Sequence, residues 1–154
     1  MKLRILGIAG SVTLLAAWSG PAAEPQQSVK YTAQMNGGME TPANTEKATG
    51  TASLTLVGNQ LRYSISVQGL SGPATAAHIH VGKPGVSGPP VYTFAVNKVA
   101  DGTLADGSVD LTKDVSKGVS GDSLKVLLNN GNAYVNVHTA AHGAGEIRGQ
   151  VAKQ

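Results

Sequence analysis

Short alternating segments separated by glycine and proline constrain the fold of this chain more than any other feature of its sequence. Apolar and polar residues alternate over 28–35, 51–57 and 61–70, and further short runs follow at intervals of roughly ten residues. Alternation with a period of two is typical of strands that bury one face. The pattern predicts an all-β fold, an antiparallel Greek-key or immunoglobulin-like β-sandwich with at most one short helix.

The remaining segments can be assigned from the same signals. The segment 124–129 follows an N-cap candidate and ends at Asn130 and Gly131, which predicts one or two helical turns. The residues of 36–50 are rich in Gly, Pro, Asn and Thr and predict a loop, and 102–107 is turn-like. Further strands are expected at 77–81, 91–96, 108–112, 133–139 and 146–151.

The first 23 residues have the pattern of a secretory signal peptide. Lys2 and Arg4 precede an apolar run over 5–18, and small residues follow. The run is shorter than the ~20 residues that a membrane-spanning helix needs. We therefore predict a signal peptide at 1–23, a short tether at 24–27 and a single domain at 28–154. The mature protein is expected in the periplasm or outside the cell, with no membrane association after cleavage.

Composition narrows the range of partners. Loss of 1–23 removes two of the twelve basic residues, and ten basic against nine acidic residues leave a formal net charge of +1. No cluster of Lys and Arg remains, which argues against a nucleic-acid partner or a membrane surface. The chain has no cysteine, so disulfides and a lipid anchor are excluded. Stability must come from core burial, helped by any metal that binds.

Three of the four histidines lie on two of the predicted strands. His78 and His80 are two residues apart and project from the same face of their strand. His138 lies on the face opposite Val135 and Val137 in the second strand. If the two faces are neighbours, three imidazoles converge, and imidazole is a ligand for both Cu and Zn. We predict one Cu or Zn ion at His78, His80 and His138.

A structural explanation remains open beside the metal site. Antiparallel sheets commonly expose one polar face to water, and the histidines would then be solvated surface residues. The charged pair Glu146 and Arg148 is read in the same way, as an exposed pair along a strand, with orientation of a histidine ring as the alternative. The sequence offers no G-x-S-x-G motif, phosphate-binding glycine loop or paired carboxylates, which argues against several classes of enzyme.

Two blocks of the sequence form a recognisable pattern. They are Ala77-His78-Ile79-His80-Val81-Gly82 with Gly85, Gly88-Pro89 and Val91, and Tyr134-Val135-Asn136-Val137-His138-Thr139 with Gly145-Glu146-Ile147-Arg148-Gly149-Gln150. Over roughly 28–153 the chain resembles the CHRD domain family, which implies an extracytoplasmic β-sandwich of immunoglobulin-like character without a generally established biochemical activity. His142 stands where the family often has Asn-Pro, so it is the weaker candidate for a fourth ligand, and Val81 is a second departure.

The three histidines are also distantly similar to the copper-binding strands of copper-zinc superoxide dismutase. No histidine lies between His80 and His138 to bridge two metals, so the pattern supports a mononuclear site at most. Our leading hypothesis is an exported, non-enzymatic binding or structural module that holds one Cu or Zn ion, with an unidentified extracytoplasmic protein or none as its partner. The alternatives are a mononuclear copper redox protein with superoxide dismutase-like activity and a purely structural module.

Overall fold

The structure, a computed structural model, describes residues 26–116 and 118–154. The predicted signal peptide at 1–23 lies outside these residues, as do the first two residues of the predicted tether. Gln26 and Gln27 are exposed and precede the first strand. No helix in the described part of the chain has the length and apolar character needed to cross a membrane.

Short strands make up most of the described chain, with a single α-helix and one 3-10 turn at Gly37–Met39. Side chains of β3 alternate strictly between buried and exposed, as the period of two in its sequence predicts. The strands are β1 Ser28–Asn36, β2 Thr49–Val57, β3 Gln60–Gln68, β4 Ala74–Val81, β5 Pro90–Thr93, β6 Gly102–Asp110, β7 Asp114–Ser116, β8 Val119–Ser120, β9 Ala133–Thr139, β10 Ile147–Gln150 and β11 Ala152–Lys153, and the helix is α1 Gly121–Asn129.

One curled sheet contains nine of these strands. Their order is β5, β4, β9, β10, β1, β2, β3, β6, with β11 also paired to β1, and all pairs are antiparallel. The curl brings distant strands together, since the ring of Tyr63 on β3 lies 6.0 Å from that of Tyr92 on β5 and 4.9 Å from that of Phe94. A hydrophobic core, mostly aliphatic but including Tyr31, Tyr63 and Phe94, fills the interior. The predicted antiparallel β-sandwich with at most one short helix is confirmed.

The turn predicted at 102–107 is wrong, because these residues belong to β6, which pairs with β3 over nearly its whole length. Glycine at both ends of the segment suggested a turn, but Leu104 and Ala105 are both buried. The register shifts between Ile65 and Ser66 of the partner strand, and such a bulge interrupts the alternation that a sequence pattern needs. The hairpin of β7 and β8 was not predicted either.

Strands β4 and β9 position the histidines. In their antiparallel register His78 lies opposite Asn136, His80 opposite Tyr134, and His138 opposite Ala76. Directly opposed residues share a face of the sheet, so the three histidines project from one side. The other face is built from aliphatic residues of the core, which are fully buried: Ala77, Ile79, Val135 and Val137.

Candidate metal centre

The three predicted histidines converge. The ring centroids of His78 and His138 are 4.9 Å apart, those of His78 and His80 5.4 Å, and those of His80 and His138 6.2 Å. One nitrogen of each ring lies within 4.8 Å of a nitrogen of each of the others. The closest pair is His78 Nδ1 and His138 Nε2, at 3.0 Å.

Backbone carbonyls determine which ring nitrogen of His80 and of His138 is available as a metal ligand. His80 Nδ1 lies 2.8 Å from the Gly88 oxygen, and His138 Nδ1 lies 3.0 Å from the Gly143 oxygen. A carbonyl oxygen only accepts hydrogen bonds, so both Nδ1 atoms donate and both Nε2 atoms carry the lone pair. His80 Nε2 is buried and has no hydrogen-bond partner. Metal-ligating histidines are commonly oriented by such a bond from the other ring nitrogen.

The candidate ligand atoms are therefore His80 Nε2, His138 Nε2 and a ring nitrogen of His78. Because His138 Nε2 carries a lone pair, the 3.0 Å contact is a hydrogen bond from His78 Nδ1 to His138 Nε2, which an ion bound at these atoms would replace. Nitrogen ligands of a tetrahedral Zn ion lie ~2.0 Å from the metal and hence about 3.3 Å from one another. The pair at 3.0 Å already has this spacing. Since the candidate atoms all lie within 4.8 Å of one another, this spacing requires a closure of at most about 1.5 Å.

The environment favours neutral imidazoles. Burial, together with the neighbouring His138 and His80, lowers the pKa of His78 to about 4. Burial likewise lowers the pKa of His138 and of His80, and the Arg148 guanidinium adds a smaller effect in the same direction at His80. Lone pairs are therefore available at neutral pH, as metal binding requires.

The glycine-rich loop that follows β4 covers one side of the site. Its Gly88 lies so close to the Val81 carbonyl that a Cβ atom there would overlap the oxygen. This close approach places the Gly88 oxygen beside His80, and the hydroxyl of Tyr134 lies 3.2 Å from both the nitrogen and the oxygen of Gly88. The loop thus forms a long turn beside the histidine strand.

Tyr134 and Arg148 form a layer next to His80. The rings of His80 and Tyr134 stack with centroids 4.8 Å apart and planes inclined by 16°. The Arg148 guanidinium carbon lies 3.5 Å from the centre of the Tyr134 ring. Tyr134 is only 4 % exposed and Arg148 only 2 %. This part of the sheet face is therefore not the solvent-exposed polar surface that the structural explanation of the histidines requires.

Arg148 also joins two loops. Its Nη2 group donates to the carbonyl oxygens of Lys83 and Val86, at 3.0 and 2.9 Å, and Nη1 donates to Thr41 Oγ1 at 3.1 Å. The prediction that Glu146 and Arg148 form an exposed pair is wrong, because both residues are buried. The alternative, that one of them orients a histidine ring, is not observed either, because neither forms a hydrogen bond to an imidazole in the described part of the chain.

Glu146 anchors the end of β9 instead. Its carboxylate accepts bonds from Ser71 N at 2.7 Å, from Ser71 Oγ at 2.6 Å and from Thr139 Oγ1 at 2.5 Å. Burial alone would raise the pKa of Glu146, but these bonds favour the ionised carboxylate, and the pKa lies below its usual value. Since Thr139 follows His138, the anchor fixes the strand end that carries this imidazole.

Glu40 is a neighbour of the site that sequence reasoning missed. Its Oε1 accepts a hydrogen bond of 2.6 Å from Asn136 Nδ2. Asn136 is the residue of β9 that lies directly opposite His78. Burial raises the pKa of Glu40 to about 7, although Arg148 opposes the shift. Nothing in the glycine-rich loop around Glu40 distinguishes it from a solvated acid, so the sequence offered no signal for this contact.

His142, the weaker fourth candidate, lies outside the cluster. Its Nε2 is 3.3 Å from Glu46 Oε1, in a contact between two loops. The group of metal-ligand type found among the described residues contains His78, His80 and His138 and does not include His142. Three protein ligands leave a fourth coordination position for water or another small molecule.

The chain matches a known protein family. A family model described as the CHRD domain matches residues 31–151, which is most of the chain. A search of the curated proteins found no significant match. The matched range contains both histidine strands and the whole layer around Arg148.

Proposed function

Because the chain belongs to the CHRD family, we propose that it is an exported, non-enzymatic binding or structural module that holds one Cu or Zn ion through His78, His80 and His138. The observation that carries the metal proposal is the buried Nε2 atom of His80, which has no hydrogen-bond partner and faces two other imidazoles. A buried polar atom without a partner is costly, and a metal ion would satisfy it.

The donor set supports both metals equally. Three neutral imidazoles suit Zn and Cu, so ligand type does not distinguish them. The carbonyls of Gly88 and Gly143 hold the rings of His80 and His138 in an orientation suited to metal binding. A site whose ligands are preoriented binds with less loss of side-chain entropy than one assembled from free rings.

Export is proposed from the amino-terminal pattern and from the family. CHRD is an extracellular type of domain, and the sequence of 1–23 has the pattern of a secretory signal. Periplasm and extracellular space are both compatible with this pattern. The proposed partner is an unidentified extracytoplasmic protein or none, and nucleic acid is not proposed.

Calorimetric titration of the domain 28–154 with Zn, and anaerobically with Cu, tests the metal proposal. We expect one equivalent to bind, and we expect the variant with His78→Ala, His80→Ala and His138→Ala to lose that uptake. His142→Ala is the matched control and should bind like the wild type, because His142 lies outside the cluster. Equal uptake by the wild type and the triple variant would overturn the proposal.

A second candidate is a mononuclear copper redox protein with superoxide dismutase-like activity. The three-ligand cluster favours it, since catalysis at a metal requires an open coordination position. Superoxide consumption by the copper-loaded domain, measured after free copper is removed with a chelator, separates the two candidates. Turnover no faster than that of the triple histidine variant would eliminate the redox candidate and leave the binding module.

A further inference from the structure

We propose that Arg148 is a positioning residue that makes the three-histidine site prefer Cu(I) over Cu(II), acting through the stack of Tyr134 on His80. This inference rests on the proposed metal function. Arg148 adds a fixed positive charge near the site, which the three histidine ligands alone do not supply.

The stack gives Arg148 a defined place relative to the ligand. Strand β9 lies between β4 and β10, so His80 approaches the Tyr134 ring from one side and Arg148 from the other. The two ring planes are nearly parallel, inclined by 16°, and the guanidinium carbon is 3.5 Å from the ring centre. Two short contacts in series therefore connect the guanidinium to a metal ligand.

The charge of Arg148 is buried and is not neutralised by direct pairing. Its three hydrogen bonds end on neutral oxygens of Thr41, Lys83 and Val86. In the described part of the chain no carboxylate lies within the 4.0 Å of an ion pair with it. At 2 % exposure the guanidinium is also poorly screened by salt and water. Its field therefore acts on the site with little screening by solvent, opposed in part by the Glu40 carboxylate when that group is ionised.

This field distinguishes the two oxidation states of copper. Reduction adds one electron from an external donor of the ascorbate class to Cu(II), and with neutral imidazoles the charge of the site falls from +2 to +1 without proton transfer. A nearby cation repels the +2 state more strongly. For unit charges about 10 Å apart at an effective dielectric constant of about 20, the difference is roughly tenfold in relative affinity.

The test compares Cu(I) and Cu(II) affinities of the domain, each measured by competition with a chromophoric chelator of that ion. Arg148→Gln should lower the ratio of Cu(I) to Cu(II) affinity about tenfold, which corresponds to a fall of about 59 mV in the reduction potential. Arg148→Lys retains the charge and should recover most of the wild-type ratio. Arg62→Gln removes an exposed cation from the outer face of β3 and is the matched control, with no change expected.

A separate variant covers the case in which Arg148→Gln does not fold. The double variant with Arg148→Gln and Glu40→Gln removes both charges, and its ratio of Cu(I) to Cu(II) affinity should be about tenfold lower than that of Glu40→Gln alone. A ratio that stays at the wild-type value in Arg148→Gln, or that is equal in the double variant and in Glu40→Gln, overturns the inference while copper binding itself stands. Absence of copper binding by the wild type would instead contradict the proposed function.

Discussion

Replacement of Glu146 by glutamine should destabilise the domain in a way that depends on pH. The carboxylate is fully buried and accepts three hydrogen bonds, two from Ser71 and one from Thr139. A hydrogen bond to a charged group contributes about 1.5–3 kcal/mol and a neutral one about 0.5–1.5 kcal/mol. Glutamine keeps the size and one acceptor, and the cost of burying a charge offsets part of the loss. We expect a fall of about 2 kcal/mol in the free energy of unfolding at pH 7.

The sign of the pH dependence follows from the pKa. In the folded protein the pKa of Glu146 lies below its usual value of 4.5. The carboxylate therefore contributes stability that is fully present above pH 4.5 and is lost as the pH falls through the folded pKa. Glutamine does not titrate. The difference between wild type and Glu146→Gln should thus shrink as the solution is acidified below pH 4.5.

Urea unfolding at pH 7 and at a series of lower pH values measures this difference. With a slope of about 2 kcal/mol per molar urea, the expected change lowers the midpoint by about 1 M at pH 7. Glu46→Gln, at a partly exposed glutamate whose contact is with His142, is the control and should change stability by less than about 0.5 kcal/mol. Equal effects of the two substitutions, or a difference that grows on acidification, would show that the Glu146 carboxylate does not stabilise the fold in this way.

Three further predictions concern the histidine site. A metal concentration of about 100 times the dissociation constant should add about 2.7 kcal/mol to the stability of the wild type, seen as a higher Tm, and should leave the triple histidine variant unchanged. Without metal, acidification from pH 6.5 to about 4 should lower the stability of the wild type in urea relative to that of the triple variant, because unfolded His78 takes up a proton near 6.5 and folded His78 only near 4. Gly88→Ala should lower metal affinity about tenfold in a calorimetric titration, because a Cβ atom would displace the carbonyl that orients His80, whereas Gly72→Ala, where a Cβ has open space, should have little effect.

Local patterns predicted most of the sheet. Strict alternation along β1, β2 and β3 reflects one buried face and needs no knowledge of partners. The prediction for 102–107 was wrong because two glycines at the ends of a short segment are typical of a turn, whereas pairing with β3 determines the conformation of β6. Propensity is a weak guide where a strand depends on its neighbour.

The site shows the same division between local and tertiary information. Periodicity placed the three histidines on the polar faces of their strands, since the apolar residues of β4 and β9 had to be buried. The pairing of β4 with β9, which periodicity does not predict, brings those faces together. The sequence did not predict the burial of Arg148 and Glu146, because their partners lie in distant loops. The partners of Arg148 are 62 to 107 positions away in the sequence, and Ser71 is 75 positions from Glu146. No spacing rule reaches across such separations.

The histidine centre itself is tested most directly by anomalous diffraction from crystals of the zinc-loaded domain. We predict one strong anomalous peak about 2.0–2.1 Å from His80 Nε2, His138 Nε2 and a ring nitrogen of His78. The hydrogen bonds from His80 Nδ1 to Gly88 and from His138 Nδ1 to Gly143 should be retained. A peak bound instead between His142 and Glu46, or no peak at the three imidazoles at saturating zinc, would contradict the account.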